Sequence, residues 1–237
     1  MFNFKVDDIL QTINMIKMHH LDIRTVTLSL SLRDCISTDI NETSDKIYEK
    51  ITRYAKNLAS YAQQVEEEYS IPIVNKRIAV TPISIIGESA KNPDYVLLAK
   101  TLDEAANTVN VDFIGGFGAL VEKGCTRGDA MLIESIPEAL AKTNRVCSSV
   151  NIASSKAGIN MNAVLQMGNI VKKAAELTAD ADGIGAAKLV VFCNVPSDNP
   201  FMAGAFHGYG EPECSLNIGV TAIRLLTIGI EYSSSTC

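Results

Sequence analysis

The sequence predicts an α/β protein built on a largely parallel sheet with helices outside it. Two observations carry that reading. Strand-like runs with a period of two, or with continuous apolar residues, alternate along the chain with stretches whose apolar residues recur every three or four positions. The helical stretches lie between the strands, as the crossovers of a parallel sheet require.

The first helix is expected over Val6 to Met18, where Val6, Ile9, Leu10, Ile13 and Ile16 form one apolar face. Asp7 and Asp8 fall in its first turn, where the helix dipole favours negative charge. Arg24 to Leu32 alternates Val26, Leu28, Leu30 and Leu32 with Thr25, Thr27, Ser29 and Ser31, a strand with one polar face. A long helix follows over Thr43 to Tyr69, its stripe being Ile47, Ile51, Tyr54, Leu58, Tyr61 and Val65. Lys46, Lys50, Arg53 and Lys56 fall off that stripe and are expected to face water. Ile71-Pro72 stops the helix, since the residue before proline avoids the helical region.

Arg77 to Thr81 reads as a short strand. Asn92-Pro93 then opens a helix, Asn92 as cap and Pro93 at the first helical position. Val111 to Ile114 is a strand that Gly115-Gly116 should end. Ser135-Ile136-Pro137-Glu138 has capping-box spacing and should open a helix after a short one. Arg145 to Ile152 is the next strand, and Asn160 caps a helix with the stripe Val164, Gly168, Val171 and Ala175. Leu189-Val190-Val191-Phe192 reads as a strand covered on both faces. Glu213 to Val220 is the last strand. No linker interrupts residues 1–220, which are read as one domain followed by an atypical tail, 221–237.

Charge narrows the function. The 237 residues carry 27 acidic against 21 basic side chains, a net charge of −6. Phosphate neutralisation needs a basic face, so no nucleic-acid partner is expected. Hydrophobic residues make up 47% of the chain, enough to drive collapse. Asp7 and Asp8 interrupt any secretory core, and the longest strongly apolar run, Leu189 to Cys193, is far short of the ~20 residues of a membrane span. A cytoplasmic protein without a membrane partner is expected. Its six cysteines form no Cys-x-x-Cys pair, and Cys147, Cys193 and Cys214 read as buried apolar thiols.

Parallel sheets present ligands to the carboxyl ends of their strands. Those ends carry Asp34 and Cys35, Thr81 and Ser84, Gly115 and Gly116, Asn151 and Ser154, then Asn194, Asp198 and Asn199. In the run Asn194 to Glu211, His207 suits a general base or metal ligand, with Glu211 to orient it. A turn-rich loop with His207 bonded to backbone fits the same residues. Cys35 suits a nucleophile or a small buried thiol, and Arg77 a carboxylate anchor or a structural cation. The site assigned is therefore Cys35, His207 and Glu211 for chemistry, with Asp34, Arg77, Asn194 and Asn199 for a small polar ligand. One plausible cleft histidine with scattered carboxylates falls short of zinc ligation, so no metal is expected. The residues assign no cofactor.

Five stretches together resemble a known family: Asp22 to Cys35, Ile71 to Ser84, Val111 to Gly124, Val146 to Met161 and Lys188 to Glu211. They are similar to the "PFL family protein" family, related in structure to pyruvate formate-lyase and other glycyl radical enzymes. The resemblance implies half of a ten-stranded α/β barrel and a homodimer. It implies no radical chemistry, because no glycyl loop or adjacent cysteine pair is present. Family members are longer, and Thr221 to Cys237 looks unlike their continuation, so a shortened chain is expected. The class implied is an enzyme-like barrel protein acting on a small polar metabolite, a non-catalytic binding or regulatory protein using the same cleft, or a truncated fragment without function of its own.

Overall fold

The computed structural model describes Leu10 and residues 22–69, 71–201 and 203–221. The expected first helix and the tail therefore lie outside the described residues, apart from Leu10, which is helical. In chain order the elements are β1 (Asp22–Leu30), α1 (Ile40–Ala55), α2 (Leu58–Tyr69), β2 (Ile73–Val80), α3 (Ile83–Gly87) and α4 (Tyr95–Thr108). Then come β3 (Phe113–Leu120), α5 (Arg127–Lys142), β4 (Val146–Ser154), β5 (Gly158–Ile159), α6 (Met161–Leu177), α7 (Ile184–Ala187), β6 (Leu189–Cys193) and β7 (Cys214–Thr221).

All seven strands join one sheet. β1, β2, β3, β4 and β6 are successive parallel neighbours, which makes the sheet largely parallel. β7 pairs antiparallel with β1, and β5 turns back along the end of β4. Beyond β6 and β7 no further strand pairs among the described residues, so the ten-stranded barrel is not formed there.

One core explains the layers. Leu28, Leu30, Ile78, Val80, Ile114 and Val150 from the strands join Ile47 and Ile51 of α1, Leu98 and Leu102 of α4, Leu132 and Ile136 of α5, and Met167 and Ile170 of α6. The helices thus pack on one face, as same-handed crossovers between sequential neighbours demand. Side chains one residue out of step occupy the other face, which is polar: Thr25, Thr27, Ser29, Ser31, Arg77, Ser149 and Asn151.

Several elements depart from the sequence reading. The long helix is two helices, broken at Lys56-Asn57, where asparagine's low helix propensity offers a stop. Lys50 does not face water: it is 3% exposed. Asp94, not Asn92, caps α4, its side chain accepting from the Leu97 N–H at 3.0 Å. β3 runs on through Gly115 and Gly116, because Gly116 adopts φ +106° at a register shift instead of ending the strand. α5 is a single helix that passes through Pro137; its capping box is Thr126 with Asp129. Asn160 does cap α6, yet the buried stripe is Ala163, Met167, Ile170 and Ala174, one residue out of step with the expected one. β6 is an edge strand with Val191 exposed, and Cys193 and Cys214 are exposed while Cys147 is buried.

Candidate functional site

Residues Asn194 to Glu213 form a strap that returns across the polar face from β6 to β7. The backbone carbonyl of Ala205 sits where a side chain at Gly115 would begin, so only glycine lets strap and sheet touch there. The His207 N–H donates to the Val80 carbonyl at 3.0 Å, pinning the strap to the carboxyl end of β2. Asn199 and Phe206 exchange backbone hydrogen bonds, and Phe206 is 2% exposed. Asn194, at φ +60°, bends the chain out of β6, and its side-chain oxygen accepts from the Ser155 N–H at 2.8 Å.

Where the strap rejoins the sheet, a cluster forms beside the end of β1. The buried Lys50 ammonium bridges Asp34 and Glu213, whose side chains are 60% and 51% exposed. Burial pushes the Asp34 carboxyl up, but hydrogen bonding and charge from Lys50 outweigh it and hold it below its ordinary value. Burial likewise pushes Lys50 down, and the two carboxylates win, raising it. The cluster therefore carries a permanent cation. Sequence reasoning missed both Lys50 and Glu213. Lys50 lies three residues after Ile47 and one before Ile51, so a wider stripe would have included it.

Cys35 points its thiol at Asp34, with Sγ 3.6 Å from Oδ1. Burial and the Asp34 charge push this thiol up to about 12, so it is protonated at neutral pH. We expect iodoacetamide at pH 8 to modify exposed Cys193 at least tenfold faster than Cys35, read by peptide mass mapping. Equal rates would contradict the buried, protonated thiol.

His207 is fully buried. Its Nε2–H donates to the Pro212 carbonyl at 2.7 Å, and Nδ1 lies 3.5 Å from an Asp198 carboxylate oxygen. The carboxylate facing His207 is thus that of Asp198, while Glu211 packs its stem beside Gly208. Asp198 also accepts from the Gly208 N–H at 2.7 Å. Arg33 over the Tyr209 ring ties this part of the strap to the Asp34–Cys35 turn. The structure therefore brings Asp34, Cys35, His207 and Glu211 to the carboxyl end of β1 and β2. Asn194 and Asn199 lie farther along the strap.

Arg77 stands apart, in the middle of β2 between Thr27 and Phe113 on the neighbouring strands. Its guanidinium lies 5.4 Å from the centre of the Phe113 ring. Its Nε is shielded from solvent without a hydrogen-bond partner, and no carboxylate among the described residues lies within ion-pair distance. Burial lowers its pKa. Burial also pushes Cys147, the thiol on this face that interacts electrostatically with Arg77, up to about 11. Among the described residues no group of three His, Cys, Asp or Glu side chains could hold a metal ion, and no helix is long and apolar enough to cross a membrane.

This is the geometry of a mixed α/β protein with a polar sheet face partly roofed by its own chain. The chain belongs to the family described as "Uncharacterised ACR (DUF711)", whose model matches residues 14–236. It is 60% identical over 224 residues to a UPF0210 protein of Acetivibrio thermocellus, covering 94% of this chain and 50% of that one. To a UPF0210 protein of Methanosarcina barkeri it is 62% identical over 223 residues, 94% of this chain and 49% of the relative. The chain spans about half the length of the curated relatives it matches.

These matches correct the family assignment drawn from the five motifs. The family is DUF711/UPF0210, not one related to pyruvate formate-lyase. The barrel and homodimer expectations rested on that resemblance, and these matches carry neither. Residues 221–236, set apart as an atypical tail, lie inside the family match, so the tail is no departure from the family.

Proposed function

We propose that the protein handles a small, negatively charged metabolite on the polar face beneath the strap, with Arg77 as its charge anchor. One observation carries this reading: the half-buried Arg77 guanidinium, stacked on Phe113, has a shielded Nε with no acceptor. A buried donor left unpaired costs about 1–3 kcal/mol, and a planar carboxylate or phosphate is the acceptor that matches a guanidinium fork. Thr27, directly beside Arg77 in the β1–β2 register, adds a neutral hydroxyl of the kind a small polar ligand uses.

As an enzyme, the protein would use Cys35, His207 and Glu211 in chemistry, with Asp34, Asn194 and Asn199 joining Arg77 in binding. A second reading, binding or regulation without turnover, has its own support. The Cys35 thiol is held at about 12, and both His207 ring nitrogens face the protein. The five described cysteines are free thiols, which fits the reducing cytoplasm where we place the protein.

Calorimetric titration of the chain with malonate, succinate, citrate and orthophosphate tests the anchor. At least one should bind, and Arg77→Ala should weaken it tenfold or more, about 1.4 kcal/mol, while Arg77→Lys keeps part of the affinity. No binding by any of the four, or unchanged affinity in Arg77→Ala, would overturn it. Against a substrate found by mass spectrometry of anaerobically purified protein, Cys35→Ser should abolish turnover and spare binding if the enzyme reading holds.

A further inference from the structure

On the helix side of the sheet, an apolar groove of about 460 Å³ opens between α2 and the β1–β7 pair. Val26, Leu58, Tyr61, Val65, Leu216 and Ile218 line it, and Arg53 and Lys56 stand at its edge. Tyr61, Leu216 and Ile218 are each more than half exposed. Apolar surface of this kind, gathered in one concavity, marks a place where something docks.

We propose that residues 6–18 of this same chain dock there as an amphipathic helix. The proposal is independent of the ligand reading above. Continuity supports it: Ile23, at the start of β1, lines the groove, and residue 18 is only five positions earlier, within about 18 Å of extended chain. Length supports it too. Thirteen helical residues span about 20 Å and the twelve of α2 about 18 Å, so the two helices can lie side by side. The stripe Val6, Ile9, Ile13 and Ile16 supplies the apolar face, and Leu10 falls at its margin. Leu10 is helical and 52% exposed, which suits a margin. Charge completes the fit, since Asp7 and Asp8 in the first turn can meet Arg53 and Lys56.

The rival occupants fit less well. Residues 222–237 also start near the groove, because Thr221 pairs with Asp22. Their Leu226, Ile228 and Ile230 alternate with a period of two, and they bring Arg224 towards a basic edge. A second copy would have to bury ~800 Å² per partner for a stable dimer, far more than one helix-wide groove offers.

The test places the photo-crosslinking residue p-benzoylphenylalanine at Tyr61 in the full chain and maps the products by mass spectrometry. Intramolecular crosslinks to residues 6–18 are expected. Ile9→Asp combined with Ile13→Asp should cut their yield at least fivefold. Asp7→Lys with Asp8→Lys should lower it, and adding Arg53→Glu with Lys56→Glu should restore it, a rescue that misfolding could not produce. Crosslinks to residues 222–237, to a second copy or to nothing would overturn the proposal, as would undiminished yield in the Ile9/Ile13 variant.

Discussion

Replacing Lys50 by alanine should destabilise the protein by about 2–3 kcal/mol, a fall in Tm of roughly 5–10 °C. The ammonium is the only buried member of the Asp34–Lys50–Glu213 bridge. Its removal leaves two carboxylates facing each other and an unfilled channel where the lysine stem ran. The loss stays below that of a wholly buried pair because both carboxylates are half in water and can rehydrate. Lys50→Met keeps the stem and removes the charge, so about half the loss is expected. The sign of the pH dependence follows from the shifts. Asp34 lies below its ordinary 3.8, so its contribution is complete above that pH and lost as pH falls through its folded value. Lys50 lies above its ordinary 10.5, so its contribution is complete below that pH and lost as pH rises through its folded value. Thermal unfolding of wild type and Lys50→Met should therefore differ by a constant amount between about pH 5 and 9, and converge outside it. A gap that is widest at pH 3 would contradict the bridge.

Gly115→Ala should cost about 2–4 kcal/mol, in the range of overpacking a close backbone contact. Its Cβ would collide with the Ala205 backbone, which cannot rotate away as a side chain can. The strap must lift, giving up the burial of Phe206 and the His207 bond to Val80. Gly210→Ala, where nothing lies within 4 Å of the new carbon, should stay within about 0.5 kcal/mol. Denaturant unfolding measures both. Limited proteolysis adds a local signature: cuts between residues 197 and 213 should accelerate in Gly115→Ala alone. Equal stability of the two variants would mean that the strap does not bear on β3.

The sequence made the parallel strands legible because alternation and apolar runs report burial directly. It hid what depends on partners far along the chain. Gly115-Gly116 looks like a strand terminator until the Ala205 carbonyl and the bulge are seen to need those positions bare. Lys50 looks solvated until Asp34 and Glu213 arrive from distant segments to neutralise it. His207 stands out in the sequence as the histidine set among polar residues, but its bond to Pro212 arises only from the strap's own turn. The polar alternation of Thr25, Thr27, Ser29 and Ser31 was visible, whereas its cover was not, because a strap without periodicity leaves no pattern to read.

The β1–β7 pairing also has a consequence for how the chain is made. Residues from opposite ends of the described chain must meet to form it, Leu30 beside Cys214 and Ile23 beside Val220. Every other strand of the sheet leaves the ribosome between them. At about 5–20 residues per second, β1 waits roughly ten to forty seconds for its antiparallel neighbour. During that interval one row of its amide and carbonyl groups is open to any passing strand. Contacts of such long sequence separation also form slowly, since the intervening loop must close first. The chain's vulnerability to misassembly therefore lies in the nascent state, before β7 exists to seal β1.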